Sequence, residues 1–579
     1  MSLKTWQDSS GRARTEGSDP DSWSRLSSAE KRELDMRLPR KTVYALLLFL
    51  LGLNLIARYP RTPHELGFDG FVYHGMTASI IQRGYAEWIL TPFSYFGQYP
   101  LSHPSGSFFF LADLAQLGGT PIEATILFFD MSLVALGLLC SFVLAMEIRR
   151  DEGLGLIVAA LFSLSPRFVS GLLWEIPTRA LFSALVPLLI WLLLRLHRTR
   201  DKRSLGFVVL VLTVMMSAHR LTVLMAAVFI AFILTEIVTV GVRTLRIRYA
   251  SFVLKSQFRR TANLVVLVGF FVLSISLVTL GGILSSYGTG RAGFGSGVVF
   301  ELSNLGVSLA RSAGFLIPIV PIGVVAVYRQ RLKDFKEPFL LMILLVLLPT
   351  LTLRQYTGYY IIAVTAPFTG LGIWWIVGKL KQRVTKIAFV SAALAVTLWS
   401  ANYVLAFDLQ AQPFMDDETY VHGLYVLWNT HGTVVGNDGT MASEIYLVSG
   451  HPYLPVGGAT TPFQSPELLI FGFVNKSALS IIQVPVSDLT LESDSPFLLQ
   501  SVQAEADWAT LLDHLPQNVP GRIWQTYSPQ YLAENKQAAG GYFAYGRTYP
   551  SAFITSVHAG SYRIFDNGGE SLWYIGGLG

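Results

Sequence analysis

The sequence predicts a polytopic α-helical membrane protein with a small α/β domain at its carboxyl-terminal end. Of its 579 residues, 52% are hydrophobic and only 14% are charged, whereas soluble proteins carry about a quarter charged residues. Apolar stretches long enough to cross a bilayer recur between residues 42 and 406. Basic residues fall in short clusters between these stretches, which indicates membrane topology and not nucleic-acid binding.

The apolar stretches predict about eleven membrane spans. They cover residues 42–58, 121–146, 153–166, 178–196, 204–218, 220–241, 262–285, 313–328, 338–353, 358–377 and 385–406. Residues 1–40 contain no apolar core and no small-residue cleavage site, so we expect no cleavable signal peptide. The single cysteine, Cys140, excludes an internal disulfide and a cysteine-rich metal site.

The charge pattern predicts how the spans are oriented. Clusters such as "EIRRDE", "RLHRTRDKR" and "GKLKQRVTK" fall in alternate connections, so the positive-inside rule places them all in the cytoplasm. We therefore expect a cytoplasmic segment 1–40, a membrane domain 41–406 and an extracytoplasmic α/β domain 407–579. The first outer loop, residues 59–120, is long and rich in aromatic residues, glycine and proline, which is typical of functional loops.

Local patterns predict the elements of the α/β domain. "GTVVGNDG" indicates a strand with a turn, and "SEIYLVSGHPYLP" a helix or strand followed by a turn. "ADWATLLDHL" has helical spacing, and "YRIFDNGGESLWYI" predicts a hairpin around Asp-Asn-Gly-Gly.

Side chains that can do chemistry gather at the predicted outer ends of the spans. They are Asp69, Tyr73, His74, His103, Glu175, Arg179, His219, Arg220, Arg354, Tyr356 and Tyr360. Ionisable groups at membrane depth are costly, so they indicate function. Carboxylates can take a proton from an acceptor hydroxyl or hold a metal, while arginine and histidine can bind phosphate. The set suits transfer from a lipid-linked phosphate donor.

These residues also have purely structural interpretations. Asp69 could have no role other than capping a helix. Glu175 and Arg179 could form an i,i+4 ion pair with each other. His74 and His103 could be structural residues at the membrane interface. Arg220 and Arg354 could extend their side chains to lipid head groups.

The motifs resemble those of GT-C membrane glycosyltransferases from about Lys41 to Phe407. The stretches that carry the resemblance are "GFDGFVYHGMTASIIQRGYAEW", "YPLSHPSGSFFFLADLAQLGG", "RFVSGLLWEIPTRALFSALVPLLIW" and "TLRQYTGYYIIAVTAPF". The resemblance implies that Asp69 is the catalytic or metal-binding acid, Glu175 the second acid and Arg354 a contact of the donor phosphate. A divalent metal, Mg or Mn, could bind the two acids. The style of the tail favours a prokaryotic plasma membrane.

The resemblance to oligosaccharyltransferase catalytic subunits, which are GT-C enzymes, is partial. Those enzymes carry two acidic residues in the second motif, where Glu175 stands alone here. They also carry a "WWDYG" signature that recognises the acceptor sequon, and residues 407–579 contain no such string. Transfer to a sequon asparagine is therefore less favoured than other acceptors.

The leading hypothesis is a glycosyltransferase that moves a sugar from a polyprenyl-phosphate-linked donor to a glycan, lipid or protein acceptor at the extracytoplasmic face. The assigned residues are Asp69 and Glu175 for catalysis, Arg354, Tyr356, Tyr360, His219, Arg220 and Arg179 for the donor phosphate and lipid, and Tyr73, His74 and His103 for the acceptor or sugar. Two alternatives stay open. One is an oligosaccharyltransferase-like enzyme that moves a preassembled glycan to protein, and the other is a non-catalytic or transport protein on the same scaffold.

Overall fold

The computed structural model shows a bundle of helices followed by a smaller domain with a mixed sheet. The residues that it describes are 38–83, 106–175, 178–248, 306–307, 309–329, 335–347, 357–411, 415–431, 434–436, 439–449, 453–454, 468–470, 483–485, 530–536, 542–543, 546–547 and 558–575. The predicted span 262–285 and the predicted helix at 506–515 lie outside the described residues.

The apolar runs of the bundle form helices, because a helix pairs its backbone polar groups internally, as a hydrocarbon environment requires. The described helices are α1 (Arg40–Ala57), α2 (Phe68–Arg83), α3 (Gly106–Gly118), α4 (Ile122–Ile148), α5 (Glu152–Ser163), α6 (Pro166–Ser170), α7 (Thr178–Thr199), α8 (Lys202–Ala218), α9 (Met225–Arg248), α10 (Val320–Arg329), α11 (Lys336–Leu347), α12 (Thr357–Lys379) and α13 (Arg383–Ala411). Two 3₁₀ helices, Arg220–Leu224 and Ile317–Ile319, precede α9 and α10.

Six of the described helical segments are long and apolar enough to cross a membrane. They are Arg40–Ala57, Ile122–Ile148, Thr178–Thr199, Leu221–Thr239, Gly358–Lys379 and Arg383–Ala406. Each predicted span that falls on described residues overlaps a helix. The predicted helical membrane class agrees with this structure, while the number of eleven spans and their orientation stay predictions.

The centre of the bundle is built by α4, α5, α7 and α12. Helix α4 packs against α5 and α7, and α12 packs against α10, α5 and α7. Fully buried rings in the core of the bundle include Phe162, Phe168, Phe182, Phe339 and Phe368. Since lipid is as apolar as these side chains, close packing and internal hydrogen bonds hold such helices together more than removal from water does.

The first outer loop of the prediction contains two helices, α2 and α3, that pack on each other and on α4. Helix α2 also packs against a helix of the tail domain, α15 (Gly439–Ser449). A second contact joins the two parts, because the His64 ring stacks on the Tyr420 ring with centroids 4.1 Å apart. The tail domain therefore covers the end of the bundle at which α1 ends and α4 begins.

The tail domain contains a five-stranded mixed sheet. Its described elements are α14 (Asp417–Asn429), β1 (Val434–Gly436), α15, β2 (Tyr453–Leu454), β3 (Leu468–Ile470), β4 (Gln483–Pro485), β5 (Tyr531–Asn535), β6 (Tyr542–Phe543), β7 (Gly546–Arg547), β8 (Tyr562–Asp566) and β9 (Glu570–Tyr574). The strand order is β2-β1-β5-β9-β8, with β1 parallel to β2 and β5, and β9 antiparallel to β5 and β8. The predicted hairpin is β8–β9, and the predicted first strand is β1.

Candidate active site

The first acidic candidate, Asp69, lies in the first turn of α2. The helix begins at Phe68, and the N–H of Phe71 donates to the carbonyl of Gly67 at 3.1 Å. Gly67 has φ of +85°, a left-handed conformation that glycine adopts without steric cost. The backbone of Asp69 is therefore helical, and its side chain lies outside the described atoms.

The second acidic candidate, Glu175, contacts the segment that leads into α2. An ideal Cβ built on Gly67 would lie 3.0 Å from the carboxyl carbon of Glu175, so the carboxyl group rests on bare backbone. Beside this contact, the N–H of Leu66 donates to the carbonyl of Trp174 at 3.0 Å. Two motifs that are far apart in the chain therefore meet here.

Trp174 anchors the loop that carries Glu175. Its φ is 64°, which is uncommon for a bulky residue. Its backbone N–H donates to Oδ2 of Asp130 at 3.1 Å, and its indole N–H donates to the carbonyl of Glu123 at 2.9 Å. Both acceptors belong to α4, so this loop is fixed to that helix.

Two glutamates and two histidines form a network that joins α2, the segment before it and the start of α4. Nδ1 of His74 is 2.7 Å from Oε1 of Glu65, and Nδ1 of His64 is 3.1 Å from Oε1 of Glu123. The same Glu123 oxygen accepts the backbone N–H of Glu65 at 3.1 Å. Burial lowers the pKa of His74, but the charge and hydrogen bond of Glu65, with the charge of Glu123, outweigh burial and raise this pKa above its ordinary value. The network therefore favours a cationic His74.

Two guanidinium groups lie over one tyrosine ring at the start of α12. The Cζ atom of Arg167 is 4.3 Å, and that of Arg179 is 6.0 Å, from the ring centroid of Tyr359. The carbonyl of Tyr359 accepts the hydroxyl of Ser183 on α7 at 2.7 Å. Two positive charges therefore lie at the start of α12. The hydrogen bond from Ser183 joins this part of α12 to α7.

The other predicted donor contacts are placed unevenly. Tyr360 is fully buried in the core. His219 is buried, and its Nδ1 accepts a backbone N–H of the 3₁₀ helix that follows it at 3.1 Å. Arg354 and Tyr356 lie outside the described residues, as does the side chain of Arg220.

The predicted acceptor contacts divide in the same way. Tyr73 and His74 lie on α2, and the Tyr73 ring packs against Phe108 of α3 with centroids 4.9 Å apart. His103 lies outside the described residues. The structure thus brings two of the three residues to the helix that carries Asp69.

The predicted metal site depends on Asp69 and Glu175. Carboxylate oxygens are the ligands that Mg²⁺ and Mn²⁺ prefer. Among the described side chains, no group of three or more histidine, cysteine, aspartate or glutamate residues is arranged to hold a metal ion. The metal predicted at Asp69 and Glu175 stays a prediction, because the side chain of Asp69 lies outside the described atoms.

Asp130, Glu123 and Glu65 are acids beside the site that the sequence analysis did not identify. Asp130 and Glu65 are almost fully buried, and Oδ1 of Asp130 and Oε2 of Glu65 have no hydrogen-bond partner among the described atoms. The available sequence signal is "FFDMSL", a lone carboxylate inside an apolar run. Glu65 and Glu123 lie at span ends, where acids are common, so their participation depends on tertiary contacts.

Comparison with known proteins identifies the fold. No protein-family profile matches this sequence, and no curated protein matches it. The oligosaccharyltransferase of Archaeoglobus fulgidus in the apo form matches 93% of this chain and 75% of that chain, with 12% identity and a TM-score of 0.55. Its complex with zinc and sulfate matches 92% and 73%, with 14% identity and a TM-score of 0.54.

A third structure contains ligands of interest. The archaeal oligosaccharyltransferase AglB from Archaeoglobus fulgidus, in complex with an inhibitory peptide and a dolichol-phosphate, matches 92% of this chain and 74% of that chain, with 13% identity and a TM-score of 0.53. The structural neighbours of this chain are GT-C glycosyltransferases, so the fold that the sequence resemblance implied is confirmed.

Proposed function

We propose that this protein is a glycosyltransferase that moves a sugar from a polyprenyl-phosphate-linked donor to an acceptor hydroxyl or amide at the extracytoplasmic face of a membrane. The fold supports the reaction class, because it is shared with an oligosaccharyltransferase. The complex of AglB with a dolichol-phosphate and a peptide supports a lipid-linked donor and a separate acceptor. The positive-inside pattern supports an orientation with the tail domain outside, and the style of the tail supports a prokaryotic plasma membrane.

The observation that carries the proposal is the contact between Glu175 and Gly67. It brings the second acidic motif against the turn that leads into the helix of Asp69. In the proposed reaction Asp69 takes the proton of the acceptor, whose oxygen or nitrogen then bonds to the anomeric carbon of the sugar. Glu175, in the second acidic motif, orients the acceptor. The contact of the two motifs supports a shared centre, in which holding both acids at the acceptor would provide the positional part of catalysis.

The leaving group is the lipid phosphate, which departs with the electrons of the broken sugar–phosphate bond. Cationic groups already positioned at the phosphate stabilise the negative charge that develops on it and so lower the activation barrier. Arg167 and Arg179, which lie over Tyr359 at the start of α12, are suited to this task. Arginine binds phosphate through two parallel hydrogen bonds. We also assign Arg354 to the donor phosphate.

The remaining donor and acceptor contacts follow from their positions. His219, Arg220, Tyr356 and Tyr360 are assigned to the donor phosphate and its lipid. Tyr73 and His74 on α2, with His103, are assigned to the acceptor or the sugar. A cationic His74, favoured by the network with Glu65, suits contact with an oxygen-rich ligand.

Metal dependence is a separate part of the proposal. Asp69 and Glu175 are the residues that would hold Mg or Mn, which would supply positive charge at the acceptor. Chelation followed by return of Mg²⁺ or Mn²⁺ tests this directly. Loss and recovery of transfer would support a bound metal, and full activity in the chelator would exclude it.

The experiment that tests the function is transfer of radiolabelled sugar from a native lipid extract by the purified full-length protein in nanodiscs. We expect wild type to transfer label, and Asp69→Asn to lose about a hundredfold or more of the rate, the usual contribution of a general base. Asp113→Asn, which alters an exposed aspartate on α3, is the matched control and should keep the wild-type rate. Equal rates for all three proteins would remove Asp69 from the mechanism.

The acceptor is resolved by running the same assay with different acceptors. A sequon peptide tests the oligosaccharyltransferase-like alternative, which the peptide complex of AglB favours. Glycan and lipid acceptors test the leading hypothesis. Absence of transfer to every acceptor, with the protein folded, would favour a non-catalytic or transport role on the same scaffold.

A further inference from the structure

Asp130 is a fully buried carboxylate inside α4, and the proposed reaction gives it no chemical role. Its Oδ2 accepts the N–H of Trp174 at 3.1 Å. A carboxylate that accepts a backbone N–H fixes the peptide plane to which that N–H belongs. Asp130 therefore controls the peptide that joins Leu173 to Trp174.

Trp174 has the kind of conformation that needs such control. A φ of 64° is costly for a bulky side chain, and it persists only where the surroundings determine it from several directions. Two further bonds hold this residue, from its indole N–H to the carbonyl of Glu123 and from the N–H of Leu66 to its own carbonyl. Of these described bonds, only the one to Asp130 uses a side-chain acceptor.

The conformation of Trp174 decides where Glu175 points. The left-handed turn directs the next residue toward α2, where its carboxyl group rests on Gly67. Rotation of Trp174 to an ordinary negative φ would turn the following peptide and carry the Glu175 side chain away from this contact. The position of the second acid thus depends on a strained residue and on the anchor beneath it.

We infer that Asp130 is a positioning residue, whose buried carboxylate holds Trp174 in its left-handed conformation and so keeps Glu175 against the turn before Asp69. The catalytic meaning of this role rests on the proposed transferase function. The anchoring itself does not, because it concerns only backbone hydrogen bonds of the described loop.

A pair of variants separates the acceptor role of Asp130 from its charge. Asp130→Asn keeps an oxygen that can accept the N–H of Trp174, whereas Asp130→Leu removes it at similar size. Ser132→Leu, an exposed position on the same helix, controls for the added leucine. All three variants are made in the full-length chain. Thermal unfolding first shows which of them are folded, and only folded variants are compared further.

Amide hydrogen exchange measures whether Asp130 holds the backbone of Trp174, and it does not require an active enzyme. In Asp130→Leu we expect the amide of Trp174 to exchange about tenfold faster, since it loses its hydrogen bond to Asp130. Asp130→Asn and Ser132→Leu should exchange as wild type does. Wild-type exchange in Asp130→Leu would overturn the inference, and so would equally fast exchange in Asp130→Asn.

The kinetics of sugar transfer test whether loss of the Asp130 contact displaces Glu175. We expect Asp130→Leu to lower kcat about a hundredfold, the scale of a displaced catalytic group, with the KM for the donor little changed. Asp130→Asn should stay near wild type. An unchanged kcat in Asp130→Leu would overturn the positioning role in an active enzyme. Failure of wild type to transfer sugar would instead refute the proposed function, and the exchange result would still decide the anchoring.

Discussion

The carboxyl group of Glu175 rests on Gly67, at a position where any side chain on residue 67 would meet it. An ideal Cβ there would lie 3.0 Å from the carboxyl carbon, and the φ of Gly67 is +85°. Glycine at this position both permits the turn into α2 and leaves room for the acid. The meeting of the two acidic motifs therefore depends on one residue without a side chain.

Gly67→Ala is expected to disturb both features. The left-handed backbone would cost about 1–3 kcal/mol of the free energy of unfolding, and the added methyl would push the Glu175 carboxyl out of place. We expect a lower thermal midpoint and a sugar-transfer rate that falls further than the loss of folded protein explains.

The matched control for this substitution is Gly52→Ala in α1. An added Cβ at Gly52 meets nothing within 4 Å, and alanine favours a helix over glycine. The control should be as stable as wild type or slightly more stable. A Gly67→Ala protein that matched Gly52→Ala in stability and rate would contradict the importance of the contact.

The pair of His74 and Glu65 should make stability depend on pH. The pKa of His74 is raised in the folded protein, so folding favours its protonated form. The stabilisation is complete below the unfolded pKa of about 6.5 and is lost as pH rises through the higher folded pKa. The difference in thermal midpoint between wild type and His74→Gln should therefore shrink from pH 6 to pH 9. A difference that grows over that range would show that the pKa is lowered instead.

Arg58 is expected to be a structural arginine that joins three helices. Its Nη1 donates to Oδ1 of Asn54 at 2.7 Å, and its Nη2 donates to the carbonyls of Ser163 and Phe168 at 2.7 and 3.1 Å. Arg58→Met would leave these buried acceptors without a donor and should cost about 3 kcal/mol or more. The measurement is thermal unfolding in detergent.

The control for this prediction is Arg61→Met. Arg61 is exposed and makes one long hydrogen bond, 3.3 Å, to Oδ1 of Asn402. Exposed substitutions of this kind usually change stability by less than about 0.5 kcal/mol. Equal losses in Arg58→Met and Arg61→Met would show that the buried hydrogen bonds contribute little.

Much of the helical part of the fold can be predicted from the sequence, because long apolar runs form helices in a membrane protein. Each predicted span on described residues overlaps a helix, and the hairpin around Asp-Asn-Gly-Gly is present as β8–β9. These features are local, so a short window of sequence contains the whole physical cause. Helix α3 is less evident in the sequence, since it lies in a segment whose composition is typical of a loop.

The site can be predicted only in part, since its geometry is set by distant contacts. The lone acid Glu175 attracts attention in sequence, but nothing near it predicts that it lies on Gly67. The left-handed conformation of Trp174 has no local cause, because it depends on Asp130 and on the backbone of α4. Asp130 lies within an apolar run with the composition of an ordinary span, so the sequence alone does not indicate its contact with Trp174.

The most direct test of the central claim is a double-mutant cycle on the rate of sugar transfer. The claim is that Asp69 and Glu175 act at one centre, and residues that act as a unit are strongly non-additive. We expect Asp69→Asn and Glu175→Gln each to reduce the rate about a hundredfold or more, and the double variant to lose no more than the worse single variant. Losses that multiply in the double variant would contradict a shared centre, and an unchanged rate in either single variant would remove that residue from it.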